Sequence, residues 1–261
     1  MKIKLVLTEK GRSREMAWKR IKWVGIDFGQ CLMSPSSLRN PHLFGDIGKL
    51  LGKQEMIPVW IDRMRRLKEK YQTYTMVKEK HRDEIESFVC ENDGEAYEIF
   101  KQKEQELLSV APGVREFLTW LNEVGIRPYV ISELKKTLGP VGDDIVTRFL
   151  VTKNMIKHFR CFITPHGKVD LDTDQRFYEY KGTSKESGTL YDQLIKDLQK
   201  EGIKPEESVM IGDKQRTDIV PPKKRGFITI QYTGHVDEGP CEYSDYYAKT
   251  FFEVKEIMEK L

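Results

Sequence analysis

The chain has 261 residues, enough to bury the core of one large domain or of two smaller ones. Hydrophobic residues make up 39% of it and charged residues 33%, the balance of an ordinary but highly charged globular protein. Lys plus Arg (44) barely exceed Asp plus Glu (41), so charge gives no argument for nucleic acid or an anionic membrane as a partner.

Residues Met1 to Arg20 hold a brief apolar Leu5-Val6-Leu7 and then mostly charge. A short edge strand over Ile3 to Leu7 is predicted, the apolar core of a signal peptide is lacking, and no later segment is long enough to span a membrane. Next, the apolar run Trp23, Val24, Ile26 delivers a single carboxylate, Asp27, and reads as a buried parallel strand. Reactive groups of open α/β sheets sit just past the carboxyl ends of such strands, which makes Asp27 the first place to look for chemistry. Cys31, Cys90, Cys161 and Cys241 form no C-x-x-C pair, so neither a zinc site nor a disulfide framework is expected, and reduced thiols in a cytosol are.

After Met33 the turn cluster Ser34-Pro35-Ser36-Ser37 suits a linker, and the composition shifts towards Lys, Glu, Arg, Met and Leu as far as Ser109. Apolar residues recur at helical spacing over Ile57 to Val77 and Lys80 to Leu108, as in Ile85, Phe88, Val89 and Tyr97, Phe100, Leu107, Leu108. This predicts a helical insertion over 35–109 in an α/β core formed by 1–34 and 110–261. The aromatics Trp60, Tyr71, Tyr74, Phe88, Tyr97 and Phe100 of the insertion are expected to pack rather than form a substrate lid.

The α/β pattern then resumes. Ala111-Pro112-Gly113 precedes an amphipathic helix (Val114, Phe117, Leu118, Leu121, Val124) closed by Gly125. A strand over Pro128 to Ile131 ends at Ser132, a helix covers Val141 to Asn154, and a strand over Cys161 to Thr164 ends at Pro165-His166-Gly167. A polar loop from Lys168 to Ser184 leads to a helix over Thr189 to Lys200, then a strand ending at Gly212-Asp213. Phe227 to Tyr232 reads as the last strand and Phe251 to Leu261 as a terminal helix. The alternation predicts an α/β fold with a doubly wound parallel sheet and right-handed crossovers.

Polar residues thus fall at four strand ends or the loops beside them: Asp27, Ser132, Lys185, and Asp213 with Asp218. Singly each has a structural reading: Asp27 as a turn residue or N-cap, Ser132 as a helix start, Lys185 as a solvated charge, Gly212-Asp213 as a strand-to-turn junction. Together, in this order, they resemble the four motifs of the haloacid dehalogenase-like (HAD) superfamily of phosphatases and their relatives. Asp27-Phe28-Gly29-Gln30-Cys31 stands where that family has Asp-x-Asp-Gly-Thr. Val130-Ile131-Ser132 matches the second motif, and Lys185 through Tyr191 matches the third, with Lys181 as the fallback. Gly212-Asp213 through Asp218 meets Gly-Asp-x-x-x-x-Asp in full, and the insertion falls where many members carry a cap.

The resemblance implies a Rossmann-like core and Mg²⁺-dependent chemistry on a phosphorylated small molecule. Asp27 would be the nucleophile and form an aspartyl-phosphate. Asp27, the Gly29 carbonyl and Asp213 would hold Mg²⁺, with Asp218 beside them or as a further ligand, while Ser132 and Lys185 would bind phosphoryl oxygens. Neither nucleic acid nor membrane is implied as a partner, and the oligomeric state is not legible.

One departure bears on the chemistry. The family's second Asp, which protonates the leaving group and later activates water, is here Gly29, and such acid–base catalysis is worth about 10²–10⁴-fold. Three readings follow. The first is a hydrolase or phosphotransferase whose acid comes from elsewhere or is not needed, as with an acyl phosphate. The second is an enzyme similar to phosphonoacetaldehyde hydrolase, forming a Schiff base through a cap lysine such as Lys49, Lys53 or Lys68. The third is a binding or regulatory protein that has lost catalysis. Haloacid dehalogenation, which uses no metal, fits the fourth motif less well, and among the five His residues only His166 follows a strand.

Overall fold

The computed structural model describes residues 20–34, 43–72, 76–77, 81–107, 109–133, 140–142 and 144–261. The expected edge strand at Ile3 to Leu7, most of the turn cluster after Ser34, and Tyr74 lie outside these residues. The chain divides into two compact units, Met1–Met33 with Val110–Leu261 and, separately, Ser34–Ser109.

The first strand, β1 (Trp23–Asp27), is buried along its whole length, as its unbroken apolar run requires. A short β2 (Met33–Ser34) follows the turn after Asp27. In the Ser34–Ser109 unit the helices are α1 (Leu43–Leu50), α2 (Ile57–Tyr71) and α3 (Gly94–Leu107), with helical turns over Arg82–Glu84 and Ile85–Val89. The sequence reading missed α1; within the helical segment Ile57 to Val77 the first helix ends at Tyr71, where Gln72 has φ of +68°, and Met76-Val77 are again helical. Their apolar faces meet in one cluster containing Phe44 and Ile47 of α1, Trp60, Met64 and Leu67 of α2, Ile85, Val89, and Tyr97 and Phe100 of α3. Phe44 stacks on Phe100 with ring centroids 5.3 Å apart. Trp60, Tyr97 and Phe100 are therefore packing residues, whereas Phe88 is exposed.

The other unit continues with β3 (Ser109–Val110), which pairs with β2, then α4 (Val114–Glu123), β4 (Tyr129–Ile131), α5 (Ile145–Thr152) and β5 (Cys161–Thr164). Helix α5 begins at Ile145 rather than Val141 because the Asp144 carboxylate caps it, accepting from the amides of Val146 and Thr147. After β5 come β6 (Gly167–Asp170), β7 (Arg176–Phe177), α6 (Thr189–Lys200), β8 (Ser208–Gly212), β9 (Ile228–Tyr232), β10 (Tyr246–Ala248) and α7 (Phe251–Met258).

Eight of these strands form one sheet in the order β10-β9-β8-β1-β4-β5-β6-β7. From β10 through β5 neighbouring strands are parallel, but β6 pairs antiparallel to β5 and β7 antiparallel to β6. The parallel α/β sheet is as expected from β10 through β5, and β6 and β7 extend it antiparallel at one edge. Two expectations are corrected: the stretch from Lys168 to Ser184 is not all loop, and β9 is not the last strand. Helix α6 covers one face through Leu190, Tyr191, Leu194 and Leu198, which pack on Trp23, Tyr129, Ile131, Ile163 and Met210. Phe251 of α7 meets Phe117 of α4 and Tyr232 of β9, with centroids 5.5 and 5.2 Å apart.

Strand order places β1 between β4 and β8, so the residues leaving the carboxyl ends of these three adjacent strands emerge side by side. Asp27 stands level with Ile131, and Ile26 with Ile211.

Candidate active site

Each site residue sits where its element ends. Asp27 closes β1, Ser132 follows β4, and Asp213 follows β8. Lys185 lies in the turn that opens α6. Gly188 caps that helix with φ of +81°, where a larger residue would be strained and would have to displace the Arg225 guanidinium, 2.1 Å from a Cβ built there. Asp218 comes from the π-helical turn Gln215–Ile219 directly after Asp213. It approaches closely because the strand ends in Gly212: a Cβ at that position would be 2.3 Å from the Asp218 Cβ.

These side chains converge. Lys185 Nζ donates to Asp27 Oδ1 at 2.6 Å and to the Ile131 carbonyl at 3.2 Å, and it forms a second ion pair with Asp218. The lysine is 1% exposed. Asp218 also accepts the Lys214 amide, at 3.1 Å. Carboxylate oxygens of Asp27, Asp213 and Asp218 lie within 4.8 Å of one another, and all three residues are buried. Both Asp213 oxygens are buried, with no hydrogen-bond partner among the described residues. Lys181, the fallback, is exposed, so Lys185 is the lysine that reaches Asp27.

Electrostatics follow from this crowding. Burial raises the Asp27 carboxyl to about 6; the Lys185 ammonium holds it down in part while Asp218 pushes it further up. Asp213 is pushed to about 8 by burial and by the Asp27 and Asp218 charges, with Lys214 and Lys185 opposing in part. Burial opposes the charge on Lys185, but Asp218 and Asp27 outweigh it and hold the ammonium protonated. Burial, with the Asp27, Asp213 and Asp218 carboxylates, drives the buried Cys31 thiol upward, so it stays uncharged.

A buried carboxylate without a partner is costly unless it binds a cation. Three carboxylates sharing so small a space form an all-oxygen donor set, which suits a hard dication such as Mg²⁺. The residues present therefore fit the ion. Gly29 lies in the turn after β1, which is closed by the Leu32 amide donating to the Asp27 carbonyl at 3.2 Å. Its position is half-buried, and a Cβ built there meets nothing within 4 Å. Ser132 is buried, its amide donating to the Ile163 carbonyl at 3.0 Å. His166 follows β5, its amide donating to Thr164 Oγ1 at 3.1 Å.

Sequence reasoning missed the groups that hold these residues in place. The Glu133 carboxylate accepts the backbone amide of Lys185, tying the end of β4 to the turn that presents the lysine. Tyr191 OH donates to the Thr217 carbonyl at 2.8 Å, tying α6 to the turn that carries Asp218. Gln215, at the start of that turn, has its amide held by the Glu238 carboxylate at 2.8 Å and donates its own side chain to the Gly239 carbonyl. Tyr191 was visible as an aromatic at fixed spacing from Lys185. Glu133 was visible only as the neighbour of Ser132, and Glu238 carried no local signal.

By sequence, no family model and no curated relative matches the chain. Solved structures do match by shape. A HAD phosphatase from Thermococcus onnurineus is 18% identical at a TM-score of 0.57, the match covering 91% of this chain and 98% of that one. YfnB of Bacillus subtilis, solved bound to magnesium, is 13% identical at 0.54, covering 92% and 99%. A 2-haloacid dehalogenase from Pseudomonas syringae pv. Tomato DC3000 is 15% identical at 0.54, covering 91% and 98%. The mostly parallel sheet with β1 between β4 and β8, and its agreement in shape with these structures over most of the chain, show that the fold is that of the haloacid dehalogenase-like superfamily.

Proposed function

We propose that the protein is an Mg²⁺-dependent hydrolase or phosphotransferase that acts on a phosphorylated small molecule through an aspartyl intermediate at Asp27. The observation that carries this reading is Asp213: two buried, partnerless oxygens beside Asp27 and Asp218 have a physical purpose once a dication sits among them. Asp27, Asp213, Asp218 and the Gly29 carbonyl would hold the ion, which when bound would neutralise phosphoryl oxygens. Asp27 attacks phosphorus through one carboxylate oxygen while the bond from phosphorus to the leaving group's oxygen breaks, the electron pair departing on that oxygen. Lys185 orients that carboxylate from 2.6 Å and offers positive charge to the incoming phosphoryl group, which Ser132 also binds. The Ser34–Ser109 unit would serve as the cap.

The Schiff-base alternative loses support at Lys53. Its ammonium is 2.6 Å from Asp93, and that hydrogen bond raises its pKa, the wrong direction for an amine that must be neutral to attack a carbonyl. Among the described residues no helix is long and apolar enough to cross a membrane. All four cysteines are free and buried, in keeping with a reducing cytosol as the working compartment.

The test is a panel of phosphomonoesters, acyl phosphates and phosphonates, assayed with and without Mg²⁺ alongside calorimetric Mg²⁺ titration. Turnover of at least one class is expected only with Mg²⁺, and Asp27→Asn abolishes it while leaving the protein folded. No turnover together with no Mg²⁺ binding would leave a binding module as the surviving reading.

A further inference from the structure

Resting on the function proposed above, we propose that Lys214 is a further phosphoryl-binding residue, whose ammonium donates to oxygens of the group arriving at Asp27 and brings the N–H donors that Lys185 does not have to spare. An ammonium carries three protons. Those of Lys185 face three acceptors: Asp27 Oδ1 at 2.6 Å, the Ile131 carbonyl at 3.2 Å and the Asp218 carboxylate. Its charge acts on a phosphoryl group at Asp27, but every proton already has an oxygen. The charges also balance before a substrate arrives. Asp27, Asp213 and Asp218, ionised around a dication, hold three negative charges against its two positive ones and that of Lys185. A phosphoryl group adds about 1.5–2 negative charges to that neutral set.

Lys214 stands where a further cation can meet it. It comes directly after Asp213 and, with φ of −98° and ψ of 121°, is the extended residue from which the turn Gln215–Ile219 starts. Its backbone is fixed to the cluster at both groups. The Lys214 amide donates to Asp218 Oδ2 at 3.1 Å, and its carbonyl accepts the Asp218 amide at 2.8 Å. Its side chain is exposed, in contrast to Lys185 at 1%. Against the burial that raises Asp27 and Asp213, the Lys214 charge joins Lys185 in drawing both carboxyls back, so it is felt at both. Arg216, two residues on, is exposed as well, but Glu186 pairs with it. As a plain solvated charge Lys214 would need only its backbone to hold the turn, and its side chain would not matter to any ligand.

The experiment titrates the full chain calorimetrically with Mg²⁺ and then, at saturating Mg²⁺, with orthovanadate as a phosphoryl mimic. It compares the wild type with Lys214→Met, Lys214→Arg and, as a control for surface charge, Arg216→Gln. Lys214→Met should weaken vanadate binding by about 10–10²-fold, the worth of one hydrogen bond to a charged group. The same change should tighten Mg²⁺ by about 3–10-fold, because a nearby like charge is gone. Lys214→Arg keeps the charge and should bind both ligands as the wild type does, and Arg216→Gln should alter neither. The opposite signs set this apart from a damaged turn, which would weaken both ligands together and lower Tm. Equal vanadate affinity in wild type and Lys214→Met, no vanadate binding by either, joint weakening of both ligands, or an equal loss in Arg216→Gln each overturns the proposal. As long as the wild type binds Mg²⁺, these outcomes refute the role of Lys214 alone. If it binds neither Mg²⁺ nor vanadate, the proposed function falls and the role of Lys214 with it.

Discussion

The two units differ in what they bury beside an apolar core. In the helical Ser34–Ser109 unit the interior is apolar, with Phe44, Trp60, Ile85, Val89 and Phe100 at 1% exposure or less. Its charged pairs, such as Arg66–Asp62 at 2.8 Å and Lys70–Glu84 at 3.0 Å, sit where water screens them. The α/β unit has a full apolar core as well, yet at the end of its central strands it sinks Asp27, Asp213, Asp218 and Lys185 out of solvent. Three carboxyl groups face one ammonium, so the cluster cannot be fully ionised and balanced at once. Apolar packing stabilises wherever it occurs, but an unbalanced buried cluster costs stability and marks the place where a fold has given some up.

The contrast can be broken most sharply at Lys185. Replacing it by Met leaves the Asp27 and Asp218 carboxylates without their cation, and a loss of about 3–5 kcal/mol in metal-free urea unfolding is expected. A loss below about 1 kcal/mol, the scale of an ordinary surface pair, would show that the cluster does not lean on the lysine.

Asp213→Asn should act in the other direction, raising the stability of the metal-free protein at pH 8 by about 1–3 kcal/mol, the scale of a buried unpaired polar group. The sign follows from linkage. Asp213 ionises near 8 in the folded chain against an ordinary 3.8, so the folded state holds a proton that the unfolded state has released. Its penalty is absent below about pH 4 and grows until the pH passes 8; Asp27, raised to about 6, adds to it over the lower part of that range. Metal-free wild type should therefore lose stability from pH 4 to 8, and Mg²⁺ should raise Tm most at the alkaline end. A thermal scan in which Mg²⁺ stabilises equally at pH 5 and pH 8, or in which Asp213→Asn still responds fully, contradicts this.

The smallest effect belongs to the helical surface. Asp62→Asn removes the partner of Arg66 one helical turn away, both largely exposed, and should change stability by no more than about 0.5 kcal/mol. A larger change measured by urea unfolding would mean that the surface pairs of this unit are not the weak partners the comparison makes them.

How far the sequence could be read depended on how local the signal was. The ends of β1, β4 and β8 were legible because a buried parallel strand is an uninterrupted apolar run, and the polar residue that stops it is conspicuous. Strand β6 was not: Gly167-Lys168-Val169-Asp170 carries one apolar side chain and becomes a strand by pairing with β5. For β10, two of its three residues are exposed tyrosines, and pairing with β9 defines it. At α5 the helical periodicity was plain, but the start belonged to the Asp144 cap. The site's outline was legible as four polar residues in order. Its supports, Glu133 and Glu238, were not, because a carboxylate that accepts a distant backbone amide looks in sequence like any solvated charge.

By itself the sequence determined the α/β alternation, the helical spacing between β2 and β3, and the identity of the side chains that end the central strands, all of which follow from local apolar periodicity. Tertiary structure alone decided that Lys185 rather than Lys181 meets Asp27 across 158 residues, and that both Asp213 oxygens lie buried with no partner among the described residues. Burial and ion pairing are set by neighbours through space, and those neighbours exist only once the sheet has brought β1, β4 and β8 edge to edge.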